Sequence, residues 1–217
     1  MKRLKKILIV LAVLVLGGWL MGNLLMKMWT AKPPPLPADA SIMQAQIEQR
    51  DGKTWLGQSW FSKREGLMVI RLKGSSFDQG YASGKLLQEQ MVTLENEFLA
   101  MIHGYVPQEW KLKVLKGYVY FRNRQLSSHV SDDFRSQIHG IILGCKDPHP
   151  ELGDYYNRML NYHAAHDISY MMIDNPLISK AGCTAFGAWG GATENGHLIT
   201  GRNFDWEAAD VFRDRKS

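Results

Sequence analysis

Gly182-Cys183-Thr184, with Arg202 and Asp205 further along, are the residues whose types and spacing could do chemistry in this chain. A thiol is the strongest side-chain nucleophile near neutral pH, and a glycine before it leaves the peptide carbonyl open to attack. Cys183 could therefore cleave its own upstream bond. An N-to-S acyl shift followed by hydrolysis would free the α-amino group of Cys183, whose reference pKa of about 7.7 to 8.0 suits a general base for its own sulfur. Asp205 would orient that amine, and Arg202 would hold a carboxylate or the thiolate through its fixed fork of donors. The scheme needs no histidine base, no metal ion and no cofactor.

Elements that could position these groups follow from the local pattern. Cys183 to Trp189 are small, β-branched or aromatic, His197 to Thr200 alternate polar with apolar, and Asn195-Gly196 supplies the residue pair of a type I′ turn. A β-hairpin is expected. A tight turn centred on Asn195-Gly196 places Cys183 opposite Ala208 and Asp205 opposite Phe186, on opposite faces of the ribbon. A bulge at Gly190-Gly191 would reverse that parity, so whether thiol and carboxylate share a face stays open.

Gly182-Cys183-Thr184-Ala185-Phe186, then Asn195-Gly196, then Gly201-Arg202-Asn203-Phe204-Asp205-Trp206, resembles the signature of N-terminal nucleophile hydrolases of the choloylglycine hydrolase and penicillin acyltransferase type. Upstream, Leu67 to Lys73 followed by Gly74-Ser75-Ser76-Phe77-Asp78-Gln79-Gly80 and Gly84 resembles the acyltransferase branch. The resemblance implies that Cys183 is an autocatalytically exposed nucleophile with Arg202 and Asp205 beside it. It further implies an αββα sandwich and cleavage or transfer of acyl groups at linear amide bonds. Most of both sheets of that sandwich lies downstream of the nucleophile, so residues 183–217 are expected to be its first hairpin and the chain a fragment of a longer precursor. The fold class expected here is therefore α+β.

Upstream of the hairpin, the formal charge of +5 is concentrated at the start. Without Lys2, Arg3, Lys5 and Lys6 the 26 basic residues become 22 against 21 acidic ones, which leaves no nucleic-acid footprint. These cations precede an apolar run from Ile7 to Met26, and about 20 residues at 1.5 Å each span a hydrocarbon core of about 30 Å. Residues 1–30 read as an uncleaved signal anchor, with a cleaved signal peptide as the alternative, and the remainder is expected on the extracytoplasmic side. Lys32-Pro33-Pro34-Pro35-Leu36-Pro37, within 31–40, reads as a stiff spacer holding the domain off the bilayer. Residues 41–182 then read as an α-rich propeptide or small subunit. Helices are expected over 41–50, 78–103, 107–120, 131–144 and 151–174, with one strand over 66–73. Leu86, Leu87, Met91, Leu94, Phe98 and Met101 recur at helical spacing as core positions.

Other motifs weigh less. Gly80 to Leu86 is one residue short of a P-loop and lacks the Ser or Thr after Lys85, so its glycines read as sites of close helix packing. His163 and His166 with Asp167 could line one helix face, but no second ligand pair accompanies them. Cys145 offers a structural alternative, a Cys145–Cys183 disulfide in an oxidising compartment. Two functions therefore stand. One is a membrane-anchored, self-processing amidohydrolase or acyltransferase acting on a small N-acyl amide, with processed fragments associating after cleavage. The other is a non-catalytic anchored module.

Overall fold

The computed structural model describes residues 2–165 and 184–203. It opens with α1, Lys2–Trp29, a 28-residue helix whose apolar stretch is long enough to cross a membrane and is not buried by the other described residues. Its length and composition fit a membrane anchor and a signal sequence alike.

Residues 31–40 do not hold the domain away from this helix. Ala31, Pro34, Pro37 and Ala40 are half-buried while the residues between them are exposed. That period of three is the repeat of a polyproline II helix, so one edge of the segment lies along the domain. The Ala31 N–H donates to Asn157 Oδ1 at 3.0 Å, and the Pro34 carbonyl lies close enough to the buried His139 ring to favour its protonated form. Proline carries no backbone donor to pair internally, so its carbonyls are available for such docking. The expected spacer is a strap.

The helix expected over 41–50 is replaced by a 3-10 turn, Ser41–Gln44, and a strand. A four-stranded antiparallel meander follows, β1 (Ile47–Arg50), β2 (Lys53–Leu56), β3 (Ser59–Arg64) and β4 (Leu67–Arg71). Three two-residue loops build it. Asp51 and Gly52 have φ of 52° and 67°, and Glu65 and Gly66 have 49° and 83°, the paired positive angles of type I′ turns. Gly57, at 57°, supplies the single positive φ between Leu56 and Ser59, which face each other across the loop. Asp51-Gly52 thus pulls Ile47–Arg50 into a strand against Lys53–Leu56, whatever their helical propensity. Within this meander only β4 matches a strand anticipated from the sequence.

Helices α2 (Ser76–Leu86) and α3 (Gln88–Tyr105) occupy the span expected as one helix over 78–103, with the chain turning at Leu87. A reciprocal cap starts α2. The Asp78 N–H donates to Ser75 Oγ at 3.2 Å, and the Ser75 N–H donates to Asp78 Oδ2 at 3.0 Å. Then come α4 (Glu109–Arg122), a single turn α5 (Leu126–His129), α6 (Asp132–Gly144, capped by Ser131) and α7 (Tyr155–His163, capped by Asp154). The last agrees with the first part of the helix expected over 151–174, whose end lies outside the described residues. A two-stranded sheet, β5 (Thr184–Gly190) and β6 (Gly196–Asn203), completes the described chain.

The centre of the domain is the crossing of α2 and α6. A Cβ on Gly84 would sit 2.5 Å from the Ile141 carbonyl oxygen, and one on Gly140 would sit 2.7 Å from the Tyr81 nitrogen. Gly80 and Gly144 meet the opposite backbone as closely, against Gln137 and Tyr81. Two Gly-x-x-x-Gly faces therefore let the helices touch backbone to backbone, which answers the close packing expected of Gly80 and Gly84. Leu56, Phe77, Tyr81, Ala82 and Leu86 pack on one side of this crossing, and Ile138, Tyr156 and Leu160 form a second cluster that Ala31 joins. On α3 the expected apolar stripe is interrupted. Leu94 is 37% exposed, while its neighbour Glu95 is buried at 7%.

Candidate active site

The β5–β6 ribbon carries the described part of the proposed site. Thr184 faces Asn203, Ala185 faces Arg202, Phe186 faces Gly201 and Ala188 faces Ile199. This differs from the expected register, in which Phe186 faced Asp205. The difference comes from the loop. Asn195 is absent from the positive-φ residues, so Asn195-Gly196 is no type I′ turn, and only Gly196 adopts φ of 73°. Asn195 acts through its side chain instead, Oδ1 accepting from the His197 N–H at 3.1 Å, while Thr193 Oγ1 donates to the His197 carbonyl at 3.0 Å. A longer loop, 191–195, closes the ribbon and slides β6 along β5. Between Ala188↔Ile199 and Gly190↔Gly196 the second strand holds one residue more than the first, so the bulge expected near Gly190-Gly191 has its extra residue on β6.

Opposed residues share a face, so Arg202 stands on the face of Ala185 and Thr200, and Gly201 on that of Phe186. A Cβ on Gly201 would run into the Phe186 ring, which covers that glycine across the pair. The glycine before Arg202 thus has a packing reason. Arg202 is exposed and takes part in an interaction of its own. Gly182, Cys183 and Asp205 lie outside the described residues, as does His166. His163 Nδ1 meets the Met159 carbonyl one turn back at 2.8 Å, and no metal-ligating cluster occurs among the described residues.

A second polar constellation was not foreseen. Arg158, 6% exposed on α7, donates from Nε to Glu95 Oε1 at 2.8 Å, from a terminal nitrogen to Asp147 Oδ1, and from the other to the Gly153 carbonyl at 3.0 Å. Tyr162 donates its hydroxyl to the same Glu95 oxygen at 3.0 Å. Burial acts against the Arg158 charge, yet the Asp147 hydrogen bond and the Glu95 carboxylate together raise its pKa. Burial and then the Glu95 charge push the Tyr162 phenol far up, so it stays a donor. Every member is satisfied by protein groups, and the network locks α3, α7 and the 145–154 connection together. The sequence signal was Glu95 itself, four residues after Met91 and three before Phe98 on the apolar stripe.

Cys145 is a buried free thiol beside this network, with its Sγ 3.6 Å from the Lys146 carbonyl. Burial raises its pKa, partly offset by a hydrogen bond with Tyr155, which makes it a poor nucleophile. It forms no disulfide in this structure. An open cleft of about 340 Å³ lies beside Ser41, Gly57, Lys73 and Asp78, but the Asp78 carboxylate is already engaged by Ser75.

No family model and no solved structure matches the chain. Among curated proteins it is similar to Protein dcd1B of Dictyostelium discoideum, 25% identical over 150 residues that make up 64% of this chain and 27% of that protein. It is also similar to an uncharacterized protein of Archaeoglobus fulgidus, 27% identical over 150 residues, or 64% of this chain and 24% of that protein. The chain spans about a quarter of the length of the curated relatives it matches.

Proposed function

We propose that this chain is the membrane-proximal and nucleophile-bearing part of a self-processing cysteine amidohydrolase or acyltransferase of the N-terminal nucleophile type. Its substrate class is a small N-acyl amide. The observation that supports this reading best is the register of β5 and β6. In it Arg202 faces Ala185, only two residues along the sequence from Cys183.

In the chemistry proposed, the Cys183 sulfur attacks the Gly182 carbonyl carbon, the Gly182–Cys183 C–N bond breaks, and a thioester forms as the nitrogen gains a proton. Water then hydrolyses the thioester, releasing the Gly182 carboxylate and leaving Cys183 with a free amine and thiol. The mature residue would repeat the sequence on an amide substrate, its amine taking the thiol proton and passing it to the leaving nitrogen. Arg202 would hold the substrate carboxylate or the thiolate.

The α1 helix would serve as an uncleaved anchor with the domain on the extracytoplasmic side, placing the site beside the bilayer and favouring amides of lipid origin. The test is acyl release from a chain-length series of N-acyl amides. Cys183→Ala should lower the rate by at least about a thousandfold, as removal of a nucleophile does. Equal rates in Cys183→Ala would end the proposal. A rate that ignores chain length and the presence of vesicles would remove the lipid-derived class.

A further inference from the structure

The exposed face of α4 presents Trp110, Val114, Tyr118 and Phe121, which are 64%, 63%, 48% and 44% exposed. At 100° per residue these four fall within one stripe about 80° wide, opposite the face that turns Tyr120 into the domain. Basic residues flank the stripe, Lys111 and Arg122 on one side and Lys113 on the other. Between Val106 and Gln125 the chain has five basic residues and one acidic residue, Glu109. Lys111 lies 5.7 Å from the Trp110 ring centre and Arg124 lies 4.5 Å from that of Phe121, so the cations rim the aromatic surface.

The position of this face decides what covers it. Phe121, at its end, meets Trp29 edge-on with ring centres 5.2 Å apart, and Trp29 is the last residue of α1. The chain then has no slack, because Ala31 is already bonded to Asn157. From Phe121 back to Trp110 the stripe runs only about 16 Å. An apolar, aromatic, cation-rimmed helix face pinned to the exit of a membrane-spanning helix has the composition of an interfacial helix.

We propose that α4 is a second membrane contact, lying with its Trp110–Phe121 stripe in the headgroup and upper acyl region of a bilayer that carries anionic lipid. This rests on reading α1 as a membrane anchor, and the experiment separates the two. The full chain with Cys183→Ser is reconstituted into vesicles of phosphatidylcholine and phosphatidylglycerol, and an environment-sensitive fluorophore is attached at Val114→Cys, at Val13→Cys in α1, or at Phe134→Cys. Phe134, 62% exposed on α6, is the control for an exposed apolar site elsewhere. Lipids carrying a spin label in the acyl chain should quench the Val114→Cys probe at least about threefold more than the Phe134→Cys probe, because an interfacial helix buries its apolar face some 5 to 10 Å. Lys111→Glu with Lys113→Glu, or omission of phosphatidylglycerol, should weaken that quenching. A quenched Val13→Cys probe beside a Val114→Cys probe no more quenched than the control overturns the proposal and leaves the anchor standing. An unquenched Val13→Cys probe removes the anchor instead, and quenching at Val114→Cys would then still support docking of α4. Protection of Val114→Cys by crosslinking to a second copy, without quenching by lipid, would assign the face to self-association and overturn the proposal.

Discussion

The α2–α6–α7 body and the β5–β6 ribbon are built on opposite principles. In the body, glycine pairs bring helix backbones into contact, Phe77, Ile138, Tyr156 and Leu160 are almost fully buried, and Arg158 is enclosed by two carboxylates and a carbonyl. In the ribbon, Phe186, Trp189, Leu198 and Ile199 are 63%, 67%, 65% and 54% exposed, on both faces. A two-stranded ribbon is marginal by itself in water, and among the described residues nothing covers these side chains. Fold stability and the proposed chemistry therefore reside in different places. Changes in the body should unfold the protein, and changes in the ribbon should leave the fold and affect only processing and turnover.

The sharpest test of that contrast is Arg158→Ala, which strands the buried Glu95 carboxylate. The expected loss is about 3 to 5 kcal/mol, read from urea unfolding, because breaking a buried pair leaves an uncompensated charge. A loss below about 1 kcal/mol, the value of an exposed pair, would show that water reaches the network. Gly140→Ala should follow, costing about 2 to 3 kcal/mol, since its Cβ can be placed only by prising α6 from α2. An unchanged unfolding midpoint would mean that the helices do not meet backbone to backbone.

His139 gives the pH counterpart. Burial among Phe77 and Tyr156 lowers its pKa, partly opposed by the nearby Pro34 carbonyl. The unfolded chain then binds the proton more tightly than the folded one. Its contribution is intact above the ordinary histidine value of about 6.5 and is lost as pH falls from there toward the lowered folded value, with a slope of at most about 1.4 kcal/mol per pH unit. The acid limb of a stability profile should flatten by that proton in His139→Phe. The smallest effect is expected in the ribbon, where Leu198→Ser should change stability by less than about 0.5 kcal/mol. A cooperative loss there would show that the ribbon is part of the body.

What could be read from the sequence divides along the same line. Helices α4, α6 and the start of α7, the apolar α1 and the packing role of Gly80 and Gly84 follow from local periodicity and small-residue spacing. Of the meander, β4 followed from its strand pattern, whereas the other strands depend on the Asp51-Gly52 and Glu65-Gly66 turns, and Ile47–Arg50 has no alternation to mark it. Arg158 lies 63 residues from Glu95, and a contact at that distance leaves no local pattern beyond one carboxylate on an apolar stripe. For the ribbon, residue types identified the two strands, but the register depended on whether Asn195 used its backbone or its side chain. The docking of residues 31–40 leaves no local signal for a related reason, since a polyproline segment has the same composition whether it stands free or lies along a surface.

Cys183 is proposed to be a nucleophile exposed by cleavage of its own peptide bond. N-terminal sequencing with intact mass tests it directly, on the protein ending at Ser217 and in parallel on the protein carrying any sequence its reading frame adds beyond that residue. A new amino terminus at Cys183 is expected in a folded product of the wild-type sequence, and none in Cys183→Ala. A folded protein that remains whole in both forms, or one cleaved equally in Cys183→Ala, would contradict it.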